Sequence, residues 1–493
     1  MKSNYLAARN GLADAIALGI AGFSMLWIAL FNGYPLVYFD SGEYLVDSLN
    51  LAQNPYRSPI YPAFIRLASL NVTPWLVVIC QCFLTLYVLR SVFAYVVRTE
   101  SPIVKRIFFP GLIVFLGLAT TLPWYVGQIM PDIFTGLAVL CAFLLLYDND
   151  LPLEKAILFA LLFALAVAVH LSNFLTVPLV LLGILVLRLF NRTRQLWPTC
   201  SLSRFVAFIL SPVLAMVGIL CLSNWRAAHE FRFSAAGPMF LLGRLIDNGM
   251  ARDYLIHECR TEPLAACKYL NNLPDGNNFL WGSHPLMQDM GGWYHGGIEA
   301  NKIVYGTIRR YPLRFTIDCL KQTVAAFMVF SQQTENLPYP GFVKDLNRFF
   351  PGDGAKYLLT MQWRGWLSKL GNKLYPLYRF IFWVALITGL FFLVSGRGSE
   401  RANQLMVMVL LLLIANAAVT GSISGVVNRY QARVNWMSSL CCGVYVILYL
   451  INRRHSLDMA RRGLISPCGG TEKWSTGESH LTDDDAEMAP GQL

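Results

Sequence analysis

Apolar runs of near membrane-spanning length recur along the chain, and short polar stretches separate them. A bilayer core about 30 Å thick requires roughly 20 apolar helical residues, each of which adds about 1.5 Å of length. We expect ten transmembrane helices, at 12–31, 75–97, 107–125, 132–147, 155–170, 173–190, 205–223, 376–394, 403–420 and 433–451. The pattern therefore predicts an all-α polytopic membrane protein.

Composition excludes the soluble classes of protein. The 493 residues are 55% hydrophobic and 14% charged, with a net charge of +11. An ordinary soluble domain has about 25% charged residues, so this chain has too little charge to cover a soluble surface. Its basic residues cluster beside apolar runs, at Arg98–Arg106, Arg188–Arg204 and Arg453–Arg462. That placement is typical of cytoplasmic membrane anchors and not of a nucleic-acid surface.

Basic residues also set the expected orientation. Lys2 and Arg9 place the N-terminus inside, because Lys and Arg are enriched in cytoplasmic loops. Counting forward puts two long segments, 32–74 and 224–375, on the outer face, in the periplasm of a bacterium or in a lumen. We expect a multi-pass protein of the bacterial inner membrane, with its active site facing the periplasm.

The same reasoning divides the chain into four parts. These are a transmembrane module at 1–223 with its first outer loop at 32–74, an outer region at 224–375, C-terminal transmembrane helices at 376–451 and a disordered cytoplasmic tail at 452–493. The tail is polar and lacks the apolar area that folding requires. Segment 315–331 is moderately apolar but carries Asp318 and Lys321. We expect it to be an amphipathic helix on the outer membrane surface, because a further span would invert every later loop.

The outer region has features of its own. Cys259 and Cys267 lie where oxidising conditions permit a disulfide, with two free thiols as an equal alternative. Five residues of this region are suited to stacking on sugars or bonding to them: Trp281, His284, Trp293, Tyr294 and His295. For any single one of these residues, packing of a small extramembrane domain is the favoured explanation.

The first outer loop combines two acids with an arginine. Asp40 follows the first span directly, and Glu43 lies about one helical turn further on. The pair matches a capping box, but an acid at the membrane boundary is costly unless it is paired or functional. Arg57 begins the run R-S-P-I-Y-P, which contains Tyr61 and whose prolines fix a non-helical turn. Arg57 is placed either to pair with Asp40 or to bind a phosphate.

Polar residues end two further outer turns. Asp132 follows Pro131, where it either favours the positive N-terminus of a helix or faces Asp40 across a cavity. His170 and Asn173 lie in the third outer turn. A histidine at the end of a span is either an interfacial residue or a ligand-binding one.

The last outer turn reads N-R-Y-Q-A-R and contains Arg429, Tyr430 and Arg433. Two arginines on the outer face run against the positive-inside rule. A buried phosphate or a carboxylate partner accounts for them, because arginine binds both groups through parallel hydrogen bonds.

Taken in order, these motifs resemble the GT-C glycosyltransferases, polytopic enzymes that take a sugar from a polyprenyl-phosphate lipid. The motifs are an acid after the first span, the R-x-P-x-Y-P run, a second loop ending in P-D, a histidine before the sixth span and an R-Y-x-x-R turn. The similarity is to the branch of protein mannosyltransferases and lipid A aminoarabinose transferases. It covers roughly residues 1–225 well and the remainder by general layout.

The resemblance implies roles for the residues. Asp40 is the expected catalytic base and Asp132 the second-loop acid, while a share of the base role for Glu43 stays open. The expected ligands of the donor phosphate are Arg429, Arg433, Arg57 and Tyr430, and the expected substrate-binding residues are Tyr61, His170 and Asn173. The first loop contains no D-x-D motif, which leaves open whether a divalent metal ion is a cofactor.

The predicted function is an inverting-type glycosyltransferase with a GT-C-like fold. Its sugar would come from a polyprenyl-phosphate-linked donor in the membrane and go to a hydroxyl of a glycan, lipid or protein acceptor on the outer face. A ligase or polymerase of lipid-linked glycans is one alternative. A transporter or flippase is another, although such proteins typically show repeats and helices broken at mid-membrane. A non-catalytic assembly factor, in which Asp40 only caps a helix, is the third.

Overall fold

The computed structural model describes residues 2–50, 54–99, 101, 103–229, 231–330 and 337–461. Within these ranges the regular structure is helical, apart from one isolated bridge between Leu36 and Gln128. The first half of the chain contains α1 (Lys2–Asn32), α2 (Ser41–Asn50), α3 (Ile60–Ser69), α4 (Trp75–Val97), α5 (Phe109–Ala119), α6 (Leu122–Val126), α7 (Ile133–Tyr147), α8 (Leu153–Ala168), α9 (Asn173–Leu187), α10 (Leu202–Phe205) and α11 (Ser211–Ala228). The all-α prediction is confirmed for the described residues.

The second half of the chain contains twelve further α-helices among its described residues. They are α12 (Gly237–Asp247), α13 (Met250–Glu258), α14 (Gly276–Trp281), α15 (Leu286–Asp289), α16 (Gly292–His295), α17 (Gly297–Arg310), α18 (Pro312–Met328), α19 (Pro340–Phe349), α20 (Asp353–Leu358), α21 (Trp366–Ser395), α22 (Glu400–Ile423) and α23 (Asn428–Arg461). Two π-helical turns, Val104–Phe108 and Val206–Leu210, lead into α5 and α11, and two 3₁₀ turns lie at Asn191–Leu196 and Ala265–Tyr269.

Six helical segments of the described chain are long and apolar enough to cross a membrane. They are Ala13–Asn32, Trp75–Val97, Leu202–Arg226, Trp366–Ser395, Glu400–Ile423 and Asn428–Arg454. Helices also form at the other four predicted spans, α5, α7, α8 and α9, but they have only 11 to 16 residues. The chain therefore has the features of a multi-pass membrane protein, and the count of ten spans stays a prediction.

Helix α7 lies at the centre of the main core. All its residues, from Ile133 to Tyr147, are buried, which is the expected state of a helix that is apolar on every side. Helices α4, α8, α22 and α23 pack around it. Gly136 permits one of these contacts, because a Cβ there would lie 2.9 Å from the indole ring of Trp436 on α23. The N-terminus of this central helix is where Asp132 lies.

The segment predicted at 315–331 as an amphipathic helix corresponds to α18. It packs along α22, where a Cβ on Gly421 would lie 2.6 Å from the backbone oxygen of Gln322. Its C-terminal part reaches α21, because the rings of Phe327 and Phe382 have centroids 6.3 Å apart. The helix is thus attached to the bundle, and its position on the membrane surface stays a prediction.

The predicted outer region does not pack as a single unit. Helices α12 to α17 share a separate apolar core, here called the outer core, which includes Met239, Leu242, Phe279 and Ile303. The disulfide between Cys259 and Cys267 is present at its edge, which decides between the two alternatives that the sequence left open. Helices α19 and α20 instead contribute to the main core.

A correction concerns the C-terminal tail, which the sequence predicts to be disordered from 452. Helix α23 continues through Arg461, so residues 452–461 are helical. Arg, Leu, Met and Ala dominate this stretch and are good helix formers, which extends the last span beyond its apolar part. The remainder of the predicted tail, 462–493, lies outside the described residues.

Candidate functional site

Two loops that are distant in sequence are joined where the candidate acids lie. The amide of Leu36 donates to the carbonyl of Gly127 at 2.8 Å, and the amide of Ile129 donates to the carbonyl of Leu36 at 2.9 Å. The side chain of Gln81, buried on α4, donates to the carbonyls of Val126 and Gln128 at 3.0 and 2.9 Å. These bonds bring the loop after α1 beside the loop before α7, and so bring Asp40 towards Asp132.

Asp40 is held by an arginine of its own loop. Arg57 donates to the Asp40 carboxylate at 2.8 Å and to the Asp40 carbonyl at 2.9 Å. The same guanidinium lies 2.9 Å from the carboxylate of Glu43. The pairing of Arg57 with Asp40, one of the two alternatives left open by the sequence, is therefore present.

Arg429 joins the two acids that the sequence places on different loops. Its Nη1 lies 3.5 Å from Oδ2 of Asp40, and its Nη2 lies 3.4 Å from Oδ2 of Asp132. The guanidinium also stacks on the ring of Tyr38, 4.0 Å from the centroid. Two buried atoms of this pair, Nε of Arg429 and Oδ2 of Asp132, have no hydrogen-bond partner within the described part of the chain. Buried polar atoms are almost always satisfied, so this point is where a water or a ligand group fits.

Arg433 is enclosed by protein groups on every side. It lies 3.2 Å from Asp132, donates to Asn416 at 2.8 Å and to Ser172 at 3.2 Å, and contacts Nε2 of His170 at 3.2 Å. A guanidinium only donates, so Nε2 of His170 is the acceptor of this contact, while Nδ1 lies 2.9 Å from the Ser172 hydroxyl and 3.3 Å from the Ser172 amide nitrogen. These contacts make Arg433 a residue that positions Asp132 and His170.

The six ionised residues form one group, here called the ion cluster. Their side-chain exposures run from inside to outside: Arg433 0%, Asp132 1%, Arg429 5%, Arg57 8%, Asp40 27% and Glu43 41%. Three arginines face three acids, which meets the requirement that buried charges be paired. Asp40 and Glu43, the two acids of the first loop, are the accessible members of the ion cluster. Asp132 and the two arginines that contact it, Arg429 and Arg433, are its buried members.

Tyrosine rings line the ion cluster. Tyr430 lies 5.6 Å from the guanidinium carbon of both Arg429 and Arg433. The ring of Tyr44 lies 5.0 Å from the guanidinium of Arg57. Such contacts stabilise a cation by roughly 0.5–1 kcal/mol, and by more where the cation is desolvated. Tyr430 therefore lies beside Arg429 and Arg433, and its predicted contact with a donor phosphate stays a prediction.

Two predicted substrate-binding residues, Tyr61 and Asn173, are buried behind the site and bond to other buried groups. The hydroxyl of Tyr61 donates to the side chain of Gln81 at 2.8 Å, and its ring packs on Tyr44. Asn173 accepts from Thr135 at 3.0 Å and donates to the carbonyl of Ala166 at 2.8 Å. Both side chains are completely buried, and their contact with a substrate stays a prediction.

An aromatic group adjoins the ion cluster from the outer region. Tyr56 donates to Glu43 at 3.0 Å, and its ring lies 4.7 Å from Trp293 and 5.3 Å from Trp281. Phe240 packs against both tryptophans. These four residues, here called the aromatic cluster, connect two tryptophans noted in the sequence to the accessible acids. Sequence reasoning missed Tyr56 and Phe240, because an aromatic residue in a loop carries no sign of what it contacts.

Electrostatics of the first loop follow from burial and from pairing. Burial by itself would lower the pKa of Arg57, but Asp40, Glu43 and the hydroxyls of Tyr44 and Tyr56 together outweigh burial, and the pKa is raised. Burial, together with the charge of Glu43, raises the pKa of the Tyr56 hydroxyl to about 12. Burial also raises the pKa of Asp47 on α2 to about 6, although Asn54 and Arg57 oppose that change. Arg57 and Tyr56 therefore keep their protons at neutral pH.

The acids of the cluster do not fit a divalent cation as they are arranged. Among the described residues no group of three or more His, Cys, Asp or Glu side chains lies close enough to hold a metal ion. Asp40 and Asp132 are both in contact with guanidinium groups, which would repel a cation. The donor set therefore suits an anion better than a metal ion.

Comparison with known protein families, with curated proteins and with solved structures gives no match to this chain. The resemblance to the GT-C glycosyltransferases therefore stays a prediction from the order of the sequence motifs.

Proposed function

We propose that this protein is a membrane glycosyltransferase that moves a sugar from a polyprenyl-phosphate donor to an acceptor hydroxyl at the ion cluster. The observation that carries the proposal is the position of Arg429, which contacts Asp40 and Asp132 at 3.5 and 3.4 Å. An accessible carboxylate beside paired guanidinium groups supplies what such a transfer needs. It offers a base for the acceptor and cations for the leaving phosphate.

Asp40 is the base in this mechanism. It takes the proton of the acceptor hydroxyl while the oxygen attacks the anomeric carbon of the donor. The bond from that carbon to the phosphate oxygen breaks, and the polyprenyl phosphate leaves with the electron pair. One displacement of this kind inverts the anomeric configuration. Glu43, held by Arg57 and Tyr56, lies next to Asp40 and orients the acceptor.

Arg57 and Arg429 bind the leaving phosphate. They are the two guanidinium groups in contact with the accessible Asp40, and Nε of Arg429 has no partner within the described chain. Arg433 is completely enclosed and acts through Asp132 as a positioning residue. The aromatic cluster lies on the accessible side, where Trp281 and Trp293 offer faces for a sugar of the acceptor.

The test is Asp40→Asn, which keeps the size of the side chain but removes the proton acceptor. Purified protein in lipid nanodiscs is mixed with polyprenyl-phosphate sugars, and consumption of the donor is followed by mass spectrometry. We expect transfer to fall by a factor on the order of 10²–10⁴, the contribution of a general base, with donor binding retained. Asp150→Asn is the matched control, since Asp150 pairs with Arg98 at an exposed position away from the cluster.

Two outcomes would contradict the proposal. One is that the wild-type protein consumes no polyprenyl-phosphate sugar, whichever sugar is attached. The other is full transfer by a folded Asp40→Asn protein, which would favour a ligase or polymerase mechanism that uses arginines without this base.

A further inference from the structure

A second charged site lies at the other end of α4 from the ion cluster. Gln81, which holds the loops of the cluster, is nine residues before Arg90, a distance of about 14 Å along the helix. Beyond that point a cavity of about 780 Å³ opens between α1, α4 and the π-helical turn before α5. Four basic side chains line it, Arg90, Arg98, Lys105 and Arg106, against one acid, Asp14. Two of them are paired, Arg106 with Asp14 and Arg98 with Asp150, which lies outside the lining.

An apolar groove continues from this basic cavity along the surface between α1 and α4. It has a volume of about 480 Å³ and is lined by Gly19, Gly22, Phe23, Phe83 and Leu86, among others. The groove and the basic cavity share Leu18 and Arg90, so the two are continuous. A Cβ added to Gly19 would have no neighbour within 4 Å, so the groove at this point is open space and not a tight helix contact. A basic cavity that is continuous with an apolar groove is suited to bind an amphiphile, a molecule with a charged end and an apolar end.

Arg90 is the residue that requires an explanation. It is the one charged residue of α4, it lies within a segment able to span the membrane, and its side chain is exposed. Within the described part of the chain no hydrogen bond or ion pair is formed by its guanidinium group. Arg106 and Arg98 differ, because they pair with Asp14 at 2.7 Å and with Asp150 at 2.6 Å. An unpaired arginine within the membrane is costly, so a partner from outside the chain is expected.

We propose that the basic cavity and the apolar groove together bind one anionic phospholipid of the membrane. The headgroup phosphate lies against Arg90, whose planar guanidinium can form two parallel hydrogen bonds with phosphate oxygens. One acyl chain lies in the groove over Gly19 and Gly22. Basic pockets between transmembrane helices on the cytoplasmic side are a recurring form of lipid site, and the sequence predicts that Arg98–Arg106 is cytoplasmic. This inference does not depend on the transferase activity.

The experiment measures lipid binding to the full-length protein by native mass spectrometry. Delipidated protein is titrated with phosphatidylglycerol, with phosphatidylcholine as the zwitterionic lipid and with glycerol 3-phosphate as the free headgroup. We expect phosphatidylglycerol to bind at least tenfold more tightly than either of the others. Arg90→Gln should lower that affinity by about tenfold, as expected for one charge-assisted contact, and Arg90→Lys should restore part of it.

Two further variants separate the charge from the groove. Gly19→Leu fills the groove without changing any charge, and it should weaken phosphatidylglycerol while leaving glycerol 3-phosphate unchanged. Arg453→Gln removes one exposed positive charge from α23, outside the cavity, and should bind phosphatidylglycerol as the wild type does. Circular dichroism and size-exclusion profiles confirm that each variant is folded.

Three results would overturn the inference. If Arg90→Gln and Arg453→Gln bind the lipid equally, the attraction is a general effect of positive charge. If glycerol 3-phosphate binds as tightly as the lipid and Gly19→Leu has no effect, the cavity takes a free phosphate. If phosphatidylcholine binds as tightly as phosphatidylglycerol, the groove takes any lipid and Arg90 does not select the headgroup.

Discussion

The ion cluster buries charge, whereas the outer core buries apolar side chains. In the ion cluster Arg433 and Asp132 are almost without solvent exposure and are held by each other. In the outer core Met239, Leu242 and Ile303 are buried, and the ion pair between Lys268 and Asp289 lies at the surface. The first region is thus organised by polar contacts with strict geometry, and the second by area removed from water and by a disulfide.

Because of this difference, a mutation affects activity and stability differently in the two regions. A buried ion that loses its partner remains uncompensated, so a substitution in the ion cluster changes chemistry and stability together. A surface ion pair of the outer core contributes little, because water and salt screen it. Mutations of the ion cluster therefore need a stability measurement beside every activity measurement.

The largest effect is expected from Asp132→Ala. It leaves Arg429 and Arg433 buried without their shared acid, which should lower the free energy of unfolding by about 3–5 kcal/mol. Thermal unfolding in nanodiscs measures this as a lower melting temperature. Asp289→Ala in the outer region is the matched control and should leave the melting temperature unchanged. Equal effects of the two substitutions would remove the contrast between the regions.

An intermediate effect is expected from loss of the disulfide in the double variant Cys259→Ser, Cys267→Ser. Closing a loop with a sequence separation of 8 removes chain entropy from the unfolded state. In the chain-entropy model this is equivalent to about 2–3 kcal/mol. Proteolysis should then cut residues 237–310 faster while the helical bundle stays intact. Cys319→Ser, at a free cysteine, is the control. Faster cleavage throughout the chain would show that the two regions unfold together.

The smallest effect concerns Asp47, which lies between the regions, near Arg57 and Tyr294. Its pKa is raised to about 6 in the folded protein, above its ordinary value of about 3.9. The folded state then binds the proton more tightly, so stability is lost as the pH rises through about 6.

Asp47→Asn should therefore raise the melting temperature at pH 7.5, by on the order of 2 °C, and the gain should disappear near pH 4. The amide keeps an oxygen that accepts from Asn54, so the local hydrogen bond survives. Glu154→Gln, at an exposed position of α8, should give the same difference at both pH values. A gain for Asp47→Asn that is equal at pH 4 and pH 7.5 would assign it to packing and not to ionisation.

The sequence predicts the helices well because an apolar run inside a membrane must satisfy its backbone hydrogen bonds within itself, and a helix does this. For Asp132 the sequence offers contact with Asp40 as one of two alternatives, and for Arg429 and Arg433 it offers a carboxylate partner as one of two. It could not predict that Asn416 holds Arg433, because a polar residue within an apolar helix gives no sign of the helix it faces. The contact of Tyr61 with Gln81 could not be predicted for a related reason, since Gln81 is buried on a different helix, and a role of Tyr61 in binding a substrate stays a prediction.

The bridge that joins Leu36 to Gly127 and Ile129 has a consequence for motion. Local opening of a protein proceeds in roughly contiguous cooperative units. Leu36 both donates and accepts in this bridge, so releasing one loop releases the other. Asp40 and Asp132 would then move apart in one event and return in one event, and the candidate site would behave as a two-position latch.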